Sequence, residues 1–208
     1  LTGIGYKFIN VITALAGSNL LLLMSMLMVT CIILGMGVPT APAYIIVATL
    51  GAPALMKAGV PIIAAHMFVY FYAILSVITP PVCLAAFAGA AIAETNAMKT
   101  GVTAMKLGIV AFIIPFMFVF EPALLMQGST TEIVTAFASA LVGVIGVASG
   151  MQNWLLVRCR LWERALLLAS GLMLIFPGLI TDTIGLSSLL IVLFAQRLRR
   201  SGSPVAAA

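Results

Sequence analysis

The 208-residue chain is 63% hydrophobic and 7% charged, with a net charge of +5 and a mean hydropathy of +1.27. Charged residues make up roughly a quarter of an ordinary soluble domain, so the composition excludes a water-soluble globular protein and points to an all-α polytopic membrane protein. The positive charge sits in short loops and at segment ends, as the positive-inside rule asks of cytoplasmic loops, and no soluble basic face is present to bind nucleic acid.

The chain opens on "LTGIGYKF", which reads as the interior of a longer permease. Residues 4–17 form a mildly amphipathic arm. No Asp, Glu, Lys or Arg occurs between Lys7 and Lys57, and only His66 interrupts the next uncharged stretch, which ends at Glu94. The apolar run 19–34 predicts a helix that meets "GMGVPTAPAY" at 35–44. Gly35, Gly37 and Pro39 weaken or remove the helical hydrogen-bond ladder. Neither 19–34 nor 41–56 reaches the ~20 residues of a standard span. The pair is therefore expected as a helical hairpin over 19–56, entering and leaving on one side and turning at 35–40.

A helix follows from 62 to 78, broken at Thr79, Pro80 and Pro81 and resumed to Glu94, so that 62–93 makes one interrupted crossing. "ETNAMKTG" is expected as a polar loop and 102–120 as a helix containing Pro115. After a loop at 121–132, residues 133–150 form another span. "NWLLVRCRLWERA" is basic and aromatic, suited to headgroup level with Trp154 and Trp162 as anchors. Residues 165–196 are expected as a peripheral hairpin of two short helices, ending in an arginine cluster, and 201–208 as a disordered tail. With Lys99 and Lys106 in the cytoplasm, every basic cluster except Lys57 falls inside, and the first hairpin opens outward.

An unpaired peptide group in hydrocarbon costs several kcal/mol, so broken backbone persists only where protein buries it or a cavity hydrates it. Secondary transporters unwind helices near the bilayer midplane so that carbonyls and helix ends hold ions or substrate. The breaks at 35–40 and 79–81 suit a hard cation such as Na+, with carbonyls supplemented by the hydroxyls of Thr40, Thr79 and Ser76. Lone Pro kinks in membrane helices are commonly only geometric, and Pro115 and Pro177 are read so. His66 is expected as a packed polar contact, Cys31 and Cys83 as small packing residues, and Glu94 and Asp182 as solvated segment ends. No carboxylate pair, Ser/His/Asp set or metal-ligand cluster supports an intramembrane enzyme, and no organic cofactor is expected.

"LGMGVPTAPAY" at 34–44, "ITPPVCLAAF" at 78–87, "MKTG" at 98–101 and "AFIIPFMFVFEPALL" at 111–125 closely resemble the large membrane subunit of tripartite ATP-independent periplasmic (TRAP) transporters. The resemblance covers residues 1–126 and is nearest the fused-permease type served by TAXI-class binding proteins. The region 127–208, from about 132 onward, resembles the extra C-terminal part of some fusions. The resemblance implies a Na+-driven, elevator-type importer in the bacterial inner membrane, taking an organic acid from a periplasmic substrate-binding protein. It matches Gly35, Met36, Gly37, Pro39 and Thr40 to a hairpin tip and Thr79, Pro80 and Pro81 to a helix break. Among these, Gly35, Gly37, Thr40 and Thr79 would hold Na+. Cys83 stands where Ala or Gly is more usual. The first inverted repeat, in the N-terminal part of the permease, would be needed for transport. Two other readings stay open: an ion-coupled transporter of similar architecture without a binding protein, and a structural or assembly subunit of the membrane.

Overall fold

The computed structural model describes residues 4–175 and 178–201. The expected kink at Pro177 and the tail at 202–208 lie outside the described residues. The chain divides into two compact units, Leu1–Leu125 and Met126–Ala208. Among the described residues both are helical, apart from loops and one isolated bridge between Trp154 and Arg158.

In the first unit α1 spans Ile4–Ala16, α2 Leu20–Gly35 and α3 Thr40–Lys57. Asn19 starts α2 by accepting the Leu22 N–H at 3.1 Å, which satisfies one of the donors a helix start leaves open. Pro39 and Pro61 stand just ahead of α3 and α4 (Ile62–Leu75), where a missing N–H costs nothing and a φ near −56° suits the turn into a helix. Residues 36–39 link α2 to α3, and the two pack on each other. Helix α4 continues into a 3-10 turn, Ser76–Ile78, and residues 79–83 separate it from α5 (Leu84–Ile92).

Helix α4 forms the centre of this unit. Phe68, Val69, Tyr72 and Ala73 are fully buried against α2, α3 and α7 (Ile114–Phe120). The Tyr72 hydroxyl donates to the Phe112 carbonyl at 2.6 Å, and Phe68 meets Phe116 edge-on at 5.5 Å between ring centres. Outward faces remain apolar: Val29, Ile33, Ile45 and Ile46 are exposed. Apolar residues all round a helix mark one whose surroundings are protein or hydrocarbon.

Two expectations need correction here. Helix α6 begins at Ala97 and ends at Leu107, so most of the supposed polar loop is its first turn. The Asn96 side chain accepts the Lys99 N–H at 2.9 Å, a capping signal that the polar composition concealed. Nor is 102–120 one helix. It breaks and bends by 64° at Gly108, then runs through a 3-10 turn at Ile109–Phe112 into α7. Pro115 lies in the first turn of α7, where proline is tolerated, and does not kink a helix interior. His66 makes the packed polar contact expected of it, with its Nδ1 2.9 Å from the Tyr44 hydroxyl.

The second unit holds α8 (Thr130–Gln152), α9 (Leu161–Ile175) and α10 (Leu179–Ser201). A reciprocal cap starts α8: Ser129 N–H donates to Glu132 Oε2, and Glu132 N–H to Ser129 Oγ. Asn153, in left-handed conformation, ends it. Helices α8 and α10 are each long and apolar enough to cross a membrane. The second arm of the tail hairpin is thus span-length and not short, because Thr181, Asp182 and Thr183 lie within α10. Asp182 is half-buried, its Oδ1 2.6 Å from Ser139 Oγ, which also lies 2.8 Å from the Leu174 carbonyl.

Glycines bring α8 and α9 to backbone contact. A Cβ at Gly143 would fall 2.8 Å from the Gly171 carbonyl, and one at Gly171 would fall 2.6 Å from the Val147 nitrogen. Small residues permit this approach in hydrocarbon, where van der Waals packing must do what the hydrophobic effect does in water. Gly171→Leu is expected to destabilise the second unit by about 2–3 kcal/mol or more. A detergent melt of the full chain checks this; an unchanged melting temperature contradicts so tight a contact.

Candidate functional site

The hairpin tip and the helix break meet. Gly35 is buried at the end of α2, and a Cβ there would sit 2.7 Å from Ser76 Oγ and 3.0 Å from Ser76 Cβ. Gly37 has φ +75°, a left-handed conformation open to glycine at no steric cost. A Cβ on it would lie 3.6 Å from Val82 Cγ1, on the far side of the break. The two glycines of "GMGVPT" therefore bracket residues 76–82.

From the other side α6 closes on the same segment. A Cβ at Gly101 would collide with Cys83 Sγ and reach Pro80 Cγ at 3.7 Å, and one at Gly108 would lie 3.0 Å from Ile78 Cδ1. The sequence reading missed Gly101, Gly108 and Val82. Their signal was the seven-residue spacing of the two glycines, which places them on one helical face.

The candidate residues divide by exposure. Ser76 is fully buried and Thr79 nearly so, Met36 and Pro80 are half-buried, and Gly37, Pro39, Thr40 and Pro81 are exposed. The structure brings Gly35 onto Ser76 and Gly37 onto Val82, while Thr40 lies exposed in the first turn of α3. Both buried hydroxyls turn their hydrogens to their own helix: Ser76 Oγ donates to the Ala73 carbonyl at 2.6 Å and Thr79 Oγ1 to the Leu75 carbonyl at 2.7 Å. Their oxygens keep lone pairs but have no hydrogen to offer elsewhere.

Both segments leave backbone acceptors short of helical donors. Pro80 and Pro81 have no N–H, so the Ser76 and Val77 carbonyls lose the donors a continuous helix would bring. The Ser76 carbonyl is met by the Thr79 N–H at 3.3 Å, and the Gly35 carbonyl by the Val38 N–H, also at 3.3 Å. The end of α2 and the 3-10 turn after α4 each leave partly negative carbonyls, and the two segments touch where Gly35 meets Ser76. Among the described residues no group of three or more His, Cys, Asp or Glu is placed to hold a metal ion. Any cation here would rely on uncharged oxygens, a donor set that fits a hard monovalent ion better than a transition metal.

A family model described as "Tripartite ATP-independent periplasmic transporter, DctM component" matches residues 1–133, which include the tip, the break and α6. A second, a domain of unknown function (DUF3394), matches residues 133–188. No curated protein and no solved structure matches the chain.

The tip contact is testable by size exchange. Gly35→Ala is expected to cost about 1–3 kcal/mol by overpacking, and Ser76→Gly in the same chain should recover most of that loss. Melting of the four chains of this cycle measures the coupling; additive effects would mean that the two residues do not touch.

Proposed function

Since the chain belongs to the DctM component family of the tripartite ATP-independent periplasmic transporters, we propose that it forms the part of that permease in which Na+ binding is coupled to passage of an organic acid. The observation that carries this reading is the seating of Gly35 on Ser76. In this reading the ends of α2 and of the turn after α4, the Ser76 and Val77 carbonyls and the Thr79 oxygen would form one ion site without any acidic side chain. A bare Na+ loses several waters on entry and needs oxygens to replace them. Carbonyls and a hydroxyl supply these without net charge, which gives weak and readily reversible binding, as a coupling ion requires.

The contact of Gly37 with Val82 adds the opposite pole. Helices α3 and α5 begin just beyond these residues, and helix N-termini carry partial positive charge that suits a carboxylate. Substrate would come from a periplasmic binding protein, and the N-terminal part of the permease would supply the other half of the transport machinery. In this reading the chain lies in the bacterial inner membrane with Lys99 and Lys106 on the cytoplasmic side, and 127–208 is an appended membrane region. The hairpin 19–56 and the broken helix 62–93 would move together as the carrier of an elevator.

In the complete transporter, Thr79→Val is expected to raise the Na+ concentration for half-maximal uptake by about threefold to tenfold, equivalent to ~0.6–1.4 kcal/mol. Thr79→Ser, which keeps the oxygen, should stay near wild type. Uptake measured against Na+ decides the matter. A Thr79→Val curve superposable on wild type removes this side chain from the site, and uptake indifferent to Na+ removes the coupling ion itself.

A further inference from the structure

The second unit carries a basic assembly that the transport reading leaves unused. Three pieces of chain converge at one end of α8–α10: the loop 153–160, the first turn of α9 and the last turns of α10. Gln196, fully buried on α10, accepts the N–H groups of Leu156 and Val157 at 3.0 and 3.3 Å and donates to Glu163 Oε2 at 2.9 Å. Glu163, 1% exposed, also accepts the Arg160 N–H at 2.8 Å and pairs with Arg199 at 3.1 Å. Arg199 in turn donates to the Arg158 carbonyl at 2.6 Å. Burial raises the Glu163 pKa, but the Arg160 N–H, the Gln196 amide and Arg199 together hold it below the usual value.

This network fixes the backbone while leaving most of the local charge unspent. Arg199 forms an ion pair with Glu163. Arg158, Arg160, Arg197 and Arg200 are exposed and Arg164 half-exposed. The loop ties the C-terminal ends of α8 and α10 together, so both span-length helices finish at this face. Large apolar side chains stand among the arginines: Trp154 is 58% exposed, Trp162 44% and Leu161 86%. Exposed tryptophan together with exposed arginine, at the end of apolar spans, is the composition of a surface at headgroup depth.

We propose that this face is a binding surface for anionic phospholipid headgroups. The Glu163–Gln196–Arg199 network presents Arg158, Arg160 and Arg197 to the phosphates, while Trp154 and Trp162 enter the interface between headgroups and acyl chains. Guanidinium groups suit phosphate oxygens because they donate two parallel hydrogen bonds. The assignment is independent of the ion chemistry at Thr79, and the two readings stand or fall separately.

The full chain, purified in a neutral detergent, is titrated with phosphatidylglycerol, phosphatidylcholine or inorganic phosphate while its melting temperature is followed. Phosphatidylglycerol should raise it saturably, and the other two should leave it within error. Each arginine near an anionic surface contributes about fivefold in affinity. The triple variant Arg158→Gln/Arg160→Gln/Arg197→Gln should therefore shift half-saturation on the order of 100-fold. Should that variant fail to fold, wild type in roughly 0.5 M salt, which shortens the Debye length to about 4 Å, must show the same weakening. An equal rise with phosphatidylcholine overturns the proposal. So does an equal rise with inorganic phosphate, which would mark a free-phosphate site, or an unshifted titration in the triple variant.

Discussion

A peptide group in hydrocarbon must find a hydrogen-bond partner, and the arrangement of the first unit follows from how this chain meets that demand where its helices stop. At the tip, the Val38 N–H turns back on the Gly35 carbonyl; at the break, the Thr79 N–H turns back on Ser76. These short local bonds satisfy part of the exposed backbone. Part of the remainder is shielded where the two irregular segments touch at Gly35 and Ser76 and where α6 packs against the second. A lone kink would have required only a neighbouring helix, whereas paired interruptions require each other's exact position in the packing, which is why glycine recurs wherever they touch.

The second unit meets the same demand with side chains. Its loop 153–160 has few backbone partners of its own, and Gln196 supplies an acceptor to two of its N–H groups from the opposite helix. No buried side-chain oxygen or nitrogen among the described residues lacks a partner. A network satisfied at every member stabilises a single arrangement, whereas one left open would cost more than an apolar substitute. The tail therefore combines a glycine-lined helix contact with a closed polar lock at one end.

What the sequence made legible follows from which signals are local. The stops at Gly35 and at Pro80 and Pro81 are written in residue types that disfavour helix by their own covalent structure, so α2, α3 and α4 fall within a few residues of expectation. The contact of Gly35 with Ser76 joins positions 41 apart and left no periodic trace, although "GMGVPT" and "TPP" were separately conspicuous. Helix α6 was hidden because its first turn is polar, and the bend at Gly108 because a single glycine is a weaker helix breaker than the proline seven residues later. Asp182 looked like the solvated end of a segment since its partner, Ser139, lies on another helix. Glu163 and Gln196 gave no signal, as a buried polar pair 33 residues apart resembles ordinary surface polarity until packing joins it.

The seam between Gly35 and Ser76 has a kinetic consequence. Neither partner has a long side chain, and the Ser76 hydroxyl is bonded to its own helix and not to the hairpin. Parting the seam breaks no hydrogen bond between the two segments and requires no rotamer to be reset; it forfeits only dispersion contacts of about 0.1–0.2 kcal/mol per atom pair. The joint acts as a smooth bearing with no latch. The cost of opening it is set by the helix packing around the seam, since no side chain has to turn and no bond between the two segments has to break.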